Sequence, residues 1–372
     1  MQVETKITNE FECILCKCKN FTILLDFQNG KATTSDSKLI NQSFTLLECN
    51  KCFHIQKQLT SELRATIKRI YDTYEAYYLT NGKEEYHLEQ NIEISRSQKI
   101  IKAITPILNN EGTILDIGTG SGVFLEEFNR MYPLWKLYAQ DVKISEFNTL
   151  QDLKNFKKFF LLKDNDLNKN YFDFISAIYV FEHILEIDNF LISVKNGLKD
   201  DGILLLQVPN INENLFDLFI IDHVSHFTKK VLYVKLKEYF EYVYFPIEQI
   251  YKEITIVASD KKLNLKEEKI YQHQKIEPCQ ISNLIKKLEI KNKQVAIFGT
   301  SPAAIFCANY LDLDIAYFID ENKNKCGKSL CQKEIIHPNN VDSSLEILFP
   351  YPINLLTKLQ NRYPNLKFIH II

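Results

Sequence analysis

Between Thr113 and Glu127 the chain reads T-I-L-D-I-G-T-G-S-G-V-F-L-E-E. Two apolar residues, Ile114 and Leu115, lead into Asp116. Glycines then alternate at Gly118, Gly120 and Gly122, and a helical pattern starts at once with Val123, Phe124 and Phe128. That order predicts a buried strand, a tight turn and a helix N-terminus, the first βα unit of a doubly wound α/β sheet. Glycine is required where the backbone turns with φ above zero, or where a ligand must touch the main chain. The spacing is G-x-G-x-G with an acid two residues ahead. It departs from the dinucleotide fingerprint G-x-G-x-x-G, whose third glycine has no counterpart here. A glycine-rich turn that holds no ligand is the plainer reading.

The residues that follow extend the same sheet. Leu137 to Asp141 reads as the second strand, and an acid at its tip, Asp141, can accept both ribose hydroxyls of a nucleoside ligand. The third strand is weakly marked near 158–162 and leaves the adenine contact in the region of Asp164 to Asp166. The fourth, Phe172 to Ala177, runs straight into Tyr179-Val180-Phe181-Glu182-His183. Open α/β sheets bind ligands at the carboxyl ends of their strands, so His183 faces that side. A helix through Phe190, Leu191, Val194 and Leu198 comes next, then a turn at Asp200-Asp201-Gly202 and an apolar fifth strand, Ile203 to Val208. The run I-I-D-H-V-S-H-F-T over 220–228 then puts Asp222, His223 and His226 on one loop, ahead of a helix that Thr228 can cap. Histidine titrates near neutrality, and His183, His223 and His226 are three imidazoles expected to converge on one pocket and suited to proton transfer. Each also reads as a hydrogen-bonded structural histidine, and a metal site there lacks a defined third carboxylate ligand. Alternation near Tyr242 to Phe245 and Ile254 to Ala258 predicts an antiparallel hairpin edge. A helix is expected over 92–108.

Ahead of the glycine loop, Cys13-x-x-Cys16 and Cys49-x-x-Cys52 each follow an apolar or aromatic stretch. Two such knuckles present four thiolates tetrahedrally, which suits a closed structural zinc site with no open position for chemistry. The run Phe21 to Phe27 and the polar loop from Asn29 to Ser37 point to an inserted hairpin between the knuckles. Cys18 and His54 are surplus to the ligand set. Leu63, Ile67, Ile70, Tyr71 and Tyr74 recur at helical spacing, and an aromatic cluster continues through Tyr77 and Tyr78 to a turn at Asn81-Gly82. These tyrosines read as core, or as a lid in which Tyr77 or Tyr78 reaches over a neighbouring site.

A chain of 372 residues, 25% charged and 45% apolar, is ordinary for a globular protein of two or three domains. Its formal charge of −2 offers nothing to nucleic acid or to an anionic membrane surface. The first ten residues are polar and of mixed charge, unlike a secretory leader, and no apolar run approaches the ~20 residues that span a bilayer. Nine cysteines, four at metal-ligand spacing, point to the cytoplasm. The domains are expected at 1–80 (zinc module and helical connection), 81–259 (glycine-loop domain), 260–290 (linker and helix) and 291–372 (a smaller α/β domain). In the last, Val295 to Ser301 reads as strand and turn with a single glycine, a weak basis for nucleotide binding.

The glycine motif with its leading acid resembles the first motif of class I S-adenosylmethionine (SAM) methyltransferases, and F-D-x-I-x-A…E-H is similar to their fourth. The order of cysteine knuckles, glycine loop, histidine loop and small C-terminal α/β domain resembles the three-domain sugar C-methyltransferases of deoxysugar biosynthesis, over nearly the whole chain. The resemblance implies a class I Rossmann-like core between a four-cysteine zinc module and a smaller Rossmann-like domain. It implies SAM held by Asp116, Gly118, Thr119, Gly120, Gly122 and Asp141, structural zinc on Cys13, Cys16, Cys49 and Cys52, and a nucleotide-linked keto-deoxysugar as acceptor. The family's base sits on a Tyr-His-Glu-His-like loop. Here Ile220, Ile221, Asp222 and His223 keep the acid and the last histidine in kind and replace the other two. His223 is then the expected base, oriented by Asp222, with His183 or Tyr77 and Tyr78 near the developing oxyanion. Two other readings stand beside it: an O- or N-methyltransferase acting on a surface-glycan or other small-molecule precursor, and a non-catalytic zinc- and nucleotide-binding protein. A monomer or weak homo-oligomer is expected.

Overall fold

The computed structural model describes residues 7–8, 11–28, 30–74, 78–84, 86–89, 92–145, 148–161, 169–247, 250–268, 276, 278–287, 294–311, 314–351 and 353–371. At its centre lies a seven-stranded sheet, built from β1 (Thr113–Ile117), β2 (Lys136–Asp141), β3 (Phe156–Leu161), β4 (Phe172–Ile178), β5 (Leu198–Pro209), β6 (Tyr242–Tyr244) and β7 (Glu253–Ser259). Their spatial order is β3-β2-β1-β4-β5-β7-β6. The first five run parallel, and β7 enters antiparallel between β5 and β6. Every residue of β1 and of β7 is buried, the signature of strands covered on both faces. The chain order reverses between β1 and β4. The crevice beyond their carboxyl ends is where such sheets take ligands.

Three expected elements differ in detail. The helix placed over 92–108 divides into a strand, Ile92–Ser95, a helix, Arg96–Ile104, and a 3-10 turn, Thr105–Ile107. Ser95 is the reason, because its side chain and that of Gln98 form a capping box that starts the helix there. Asp200-Asp201-Gly202 lies inside β5, yet pairing with β4 jumps from Phe172–Leu198 to Phe174–Ile203, so these residues bulge out as a turn would. The helix expected over 281–290 starts earlier, at Pro278, and is described to Lys287. Of the predicted linker, Leu263 donates its N–H to the Tyr244 hydroxyl at 2.9 Å and packs, with Leu265, on the central core.

The N-terminal strands Phe21–Phe27, Phe44–Cys49 and Ile55–Lys57 form an antiparallel sheet, with the hairpin Lys31–Thr33 and Leu39–Asn41 inserted between the first two. The next strand of that sheet comes from the far side of the sequence. Ser225–His226 pairs with Gln56 and Ile55, so the cysteine module and the histidine loop share one sheet. The C-terminal sheet has Val295–Phe298 between Ile315–Ile319 and Glu346–Phe349, all parallel. Its helix Pro302–Leu311 packs Phe306 face to face on Phe219 at 4.2 Å, and Phe219 meets Phe27 at 5.3 Å. One aromatic cluster therefore ties the three predicted modules around the turn that precedes the histidines. Among the described residues no helix is long and apolar enough to cross a membrane.

Candidate functional site

The glycine loop closes on itself through the backbone. The N–H groups of Gly118 and Thr119 both donate to the Gln140 carbonyl, at 2.7 and 3.2 Å. Gly118 has φ 70°, and a Cβ there would lie 2.2 Å from Val180 Cγ2; Gly122 has φ 92° and a Cβ would meet Leu150 at 2.7 Å. Both positions therefore require glycine for conformation and for space. Asp141 sits at the tip of β2, half-buried. Its Oδ2 accepts the Gly120 N–H at 2.8 Å and its Oδ1 the Val142 N–H at 2.6 Å. A carboxylate offers about four lone pairs, and with the Lys143 backbone N–H also on Asp141 about one remains for a ligand. Burial raises the Asp141 carboxyl above its ordinary range. Asp116 accepts the Ser176 hydroxyl at 2.6 Å, and burial pushes it up to about 7.

These residues form one wall of a cavity of about 2200 Å³, which extends past His183 and His223 to the loops of the C-terminal sheet. Across it, the 3-10 turn Phe181–His183 follows β4 and presents His183, with Glu182 buried beside it. Donor atoms of Glu182, His183 and His223 lie within 4.8 Å of one another, and the two imidazole rings meet edge to face at 4.7 Å. Glu182 is fully buried, and among the described residues no other residue hydrogen-bonds either carboxyl oxygen. Burial pushes it up to about 8, so it is largely protonated at neutral pH. His183 donates Nδ1–H to the Asp222 carbonyl at 2.8 Å; burial, with help from the nearby His223, holds it down at about 4, a neutral ring.

The carboxylate on His223 is Asp217, not the expected Asp222. His223 Nδ1 lies 2.7 Å from Asp217 Oδ1, and His226 Nδ1 lies 2.6 Å from Asp217 Oδ2. Burial opposes charge on His223, but the Asp217 anion outweighs it and raises the imidazole above its usual range. Burial likewise works against Asp217, and the two histidines hold it well below the carboxylate range. Asp222 lies inside the turn closed by the His223 N–H on the Ile220 carbonyl at 3.3 Å, and its carboxylate is engaged elsewhere. It accepts both the N–H and the hydroxyl of Ser35 from the inserted hairpin segment, and its Oδ2 lies 3.6 Å from His183 Nδ1. Asp217 had no motif to flag it; its signal was only an acid in the apolar run L-F-D-L-F.

Tyr77 lies outside the described residues, as do the side chain of Tyr78 and the region Asp164 to Asp166. From the same aromatic cluster, Tyr71 does reach the site, its ring 6.0 Å from His183. Arg96 is a further residue that the sequence did not flag. Its guanidinium stacks 4.7 Å from the ring of Tyr179, a non-glycine at φ 56°, and donates to Glu253 at 3.0 Å.

The four cysteines converge. Cys13 and Cys52 Sγ are 3.5 Å apart, as are Cys16 and Cys49, and all four sulfurs lie within 4.8 Å of one another. A Zn–S length of ~2.3 Å would set sulfurs ~3.8 Å apart on a regular tetrahedron, so the donor set fits that ion. The two knuckles are built alike: Lys17 N–H bonds the Cys13 carbonyl and Phe53 N–H the Cys49 carbonyl, both at 2.9 Å, with φ of 58° and 59°. His54 is fully buried 3.9 Å from Cys13 Sγ, stacked on Phe227. In the C-terminal turn, a Cβ on Gly299 would fall 1.8 Å from the Tyr351 hydroxyl. That glycine makes room for a tyrosine, which removes it as a sign of a phosphate site.

Residues 89–242 match the family model described as a methyltransferase domain. No curated protein matches the sequence. Among solved structures, the chain is similar to the YcgJ protein from Bacillus subtilis (19% identity, TM-score 0.32, covering 38% of this chain and 66% of that one). It is similar also to a SAM-dependent methyltransferase from Aquifex aeolicus (20%, 0.37, 52% and 97%), and to the CurJ carbon methyltransferase (17%, 0.36, 44% and 52%). It thus spans about two thirds of the first and about half of the last. The matched stretch carries the glycine loop and the five parallel strands of the central sheet.

Proposed function

We propose that the protein methylates a carbon of a nucleotide-linked keto-deoxysugar, with His223 as the base. The observation that carries this reading is the pair of imidazoles His183 and His223 lining the cavity that the glycine loop also lines, with the buried acid Glu182 clustered against them. Asp116, Gly118, Thr119, Gly120, Gly122 and Asp141 would hold SAM, whose sulfonium supplies an already activated methyl group. The protein must then align an acceptor and take a proton from it. Asp217 fixes the His223 tautomer with the proton on Nδ1, which leaves Nε2 to accept a proton. Loss of a proton beside a carbonyl needs a donor for the enolate oxygen. Protonated Glu182 offers one from within the cluster. Cys13, Cys16, Cys49 and Cys52 would hold zinc as a structural ion.

One observation favours a second reading, transfer to a hydroxyl. Ile220 and Ile221 stand where the resembled family has tyrosine and histidine, and both are buried, with the Ile221 N–H on the Thr33 carbonyl at 2.8 Å. Neither offers the pocket a polar group, and a hydroxyl acceptor needs only the base.

The test is incubation with carbon-13-methyl SAM and a nucleotide-linked keto-deoxysugar, with the product read by NMR. A methyl on carbon is expected; a methoxy signal selects the second reading, and absence of any SAM affinity in calorimetry defeats both. Asp141→Asn is expected to weaken SAM binding on the order of tenfold to a hundredfold, the worth of hydrogen bonds to a charged group. An unchanged affinity would remove Asp141 from the cofactor site.

A further inference from the structure

We infer that Lys57, supplied by the cysteine module, is a positioning residue of the acceptor site: it pins the turn that carries His223 and fixes the tautomer of His226, so that Asp217 serves His223. This rests on the reading of His223 as the base. Lys57 ends the strand that follows the Cys52 knuckle and is fully buried, its ammonium 5.1 Å from the centre of the Phe44 ring. Its Nζ reaches the carbonyls of Ile220 and His223, each at 2.7 Å, and His226 Nε2 at 3.2 Å. An ammonium has three N–H donors, and here each has an acceptor. His226 Nε2 must then carry a lone pair, which places its proton on Nδ1, where it donates to Asp217 Oδ2. The other oxygen of Asp217 holds His223. Every proton along Lys57–His226–Asp217–His223 is thereby assigned. The backbone adds to the hold, since Lys57 N–H donates to the Val224 carbonyl at 3.0 Å.

The arrangement sorts two imidazoles that share one anion. The groups facing them are Asp217 and Asp222 from their own segment, Glu182 and His183 from the turn after β4, Lys57 and His54 from the cysteine module, and Tyr71 from the helix Ser61–Thr73. Burial and the Lys57 charge keep His226 neutral, down at about 4, whereas Asp217 raises His223. Burial pulls Lys57 itself down to about 7, with Asp217 and Asp222 resisting. Without Lys57 only burial and the charge of His223 oppose a second proton on His226, which would then compete with His223 for Asp217.

The experiment uses the full chain with zinc supplied, labelled with nitrogen-15 in histidine, and reads ring tautomers from long-range proton–nitrogen spectra at about pH 6. His226 and His223 are assigned with His226→Gln and His223→Gln. In the native protein His226 is expected neutral with the proton on Nδ1, and His223 is expected protonated. In Lys57→Met the His226 midpoint should rise by roughly two units, and Lys57→Arg should restore the neutral ring. A native His226 that is an imidazolium, or carries its proton on Nε2, overturns the inference whether or not the variants fold. So do unchanged His226 signals in a Lys57→Met protein that still binds SAM in calorimetry. None of these readouts needs the acceptor, so a failed methylation assay beside the expected spectra would count against the proposed function alone.

Discussion

Glutamine in place of His223 is expected to lower turnover by on the order of 10²–10⁴-fold, the usual worth of a general base, while SAM affinity stays within about twofold. The separation follows from position. His223 is buried on the loop after β5, held by Asp217 at 2.7 Å, whereas the residues proposed to hold SAM lie at the tips of β1 and β2. Glutamine keeps a polar side chain of similar reach, and so limits the damage to packing. A pH profile sharpens the test. Asp217 raises His223 above the ordinary 6.5. A base acts only when neutral, so activity should rise with pH through that raised midpoint, and the acid limb should lie above 6.5. Asp217→Asn removes the anion and should move that limb to lower pH. A His223→Gln enzyme that turns over at the native rate would strike His223 from its role.

Serine in place of Cys49 is expected to release the metal and unfold the cysteine module. Bound zinc, measured by elemental analysis, should fall from about one per chain to well below it. Zinc binding to small folded sites is worth about 10–16 kcal/mol, more than a module of this size gains from its own core. Hydrogen bonding with its neighbours already holds the Cys49 thiol far below the usual thiol range and pushes Cys52 far above it, as crowded sulfurs sharing protons must. The loss should travel. Ile55 and Gln56 pair with His226 and Ser225, so amide exchange at 225–226 should quicken along with that of 44–57. Turnover should fall with it, although none of these four cysteines lines the cavity. A Cys49→Ser protein with full zinc and native exchange at Ser225 would show that the four sulfurs do not hold the module together.

The glycine loop was legible because its constraint is local. Gly118 and Gly122 are set by backbone angle and by atoms a few residues away in the fold, and the alternation around them gave the strand and helix on either side. The cysteine knuckles were legible for the same reason, since a C-x-x-C turn brings two sulfurs together wherever it folds. The histidine loop was readable only as composition. Asp222 stands next to His223 in the chain, but the turn that holds it gives its carboxylate to Ser35, and the partner of His223 comes from a separate 3-10 turn. Arg96 was hidden inside a stretch that read as one continuous helix, because the capping box of Ser95 and Gln98 resembles ordinary helical sequence.

By itself the sequence determined a doubly wound sheet, a glycine turn at its centre, an acid at the tip of the second strand and four thiols in two matched pairs. Each depends on residues close together in the chain, where spacing alone sets geometry. Tertiary structure alone decided that Lys57 of the cysteine module, Asp217 of a 3-10 turn and Glu182 at the end of β4 meet around the two histidines. Buried charges and carbonyls take whichever partner the packed elements bring within 3 Å, and that choice is made when the N-terminal sheet accepts Ser225–His226 as its next strand.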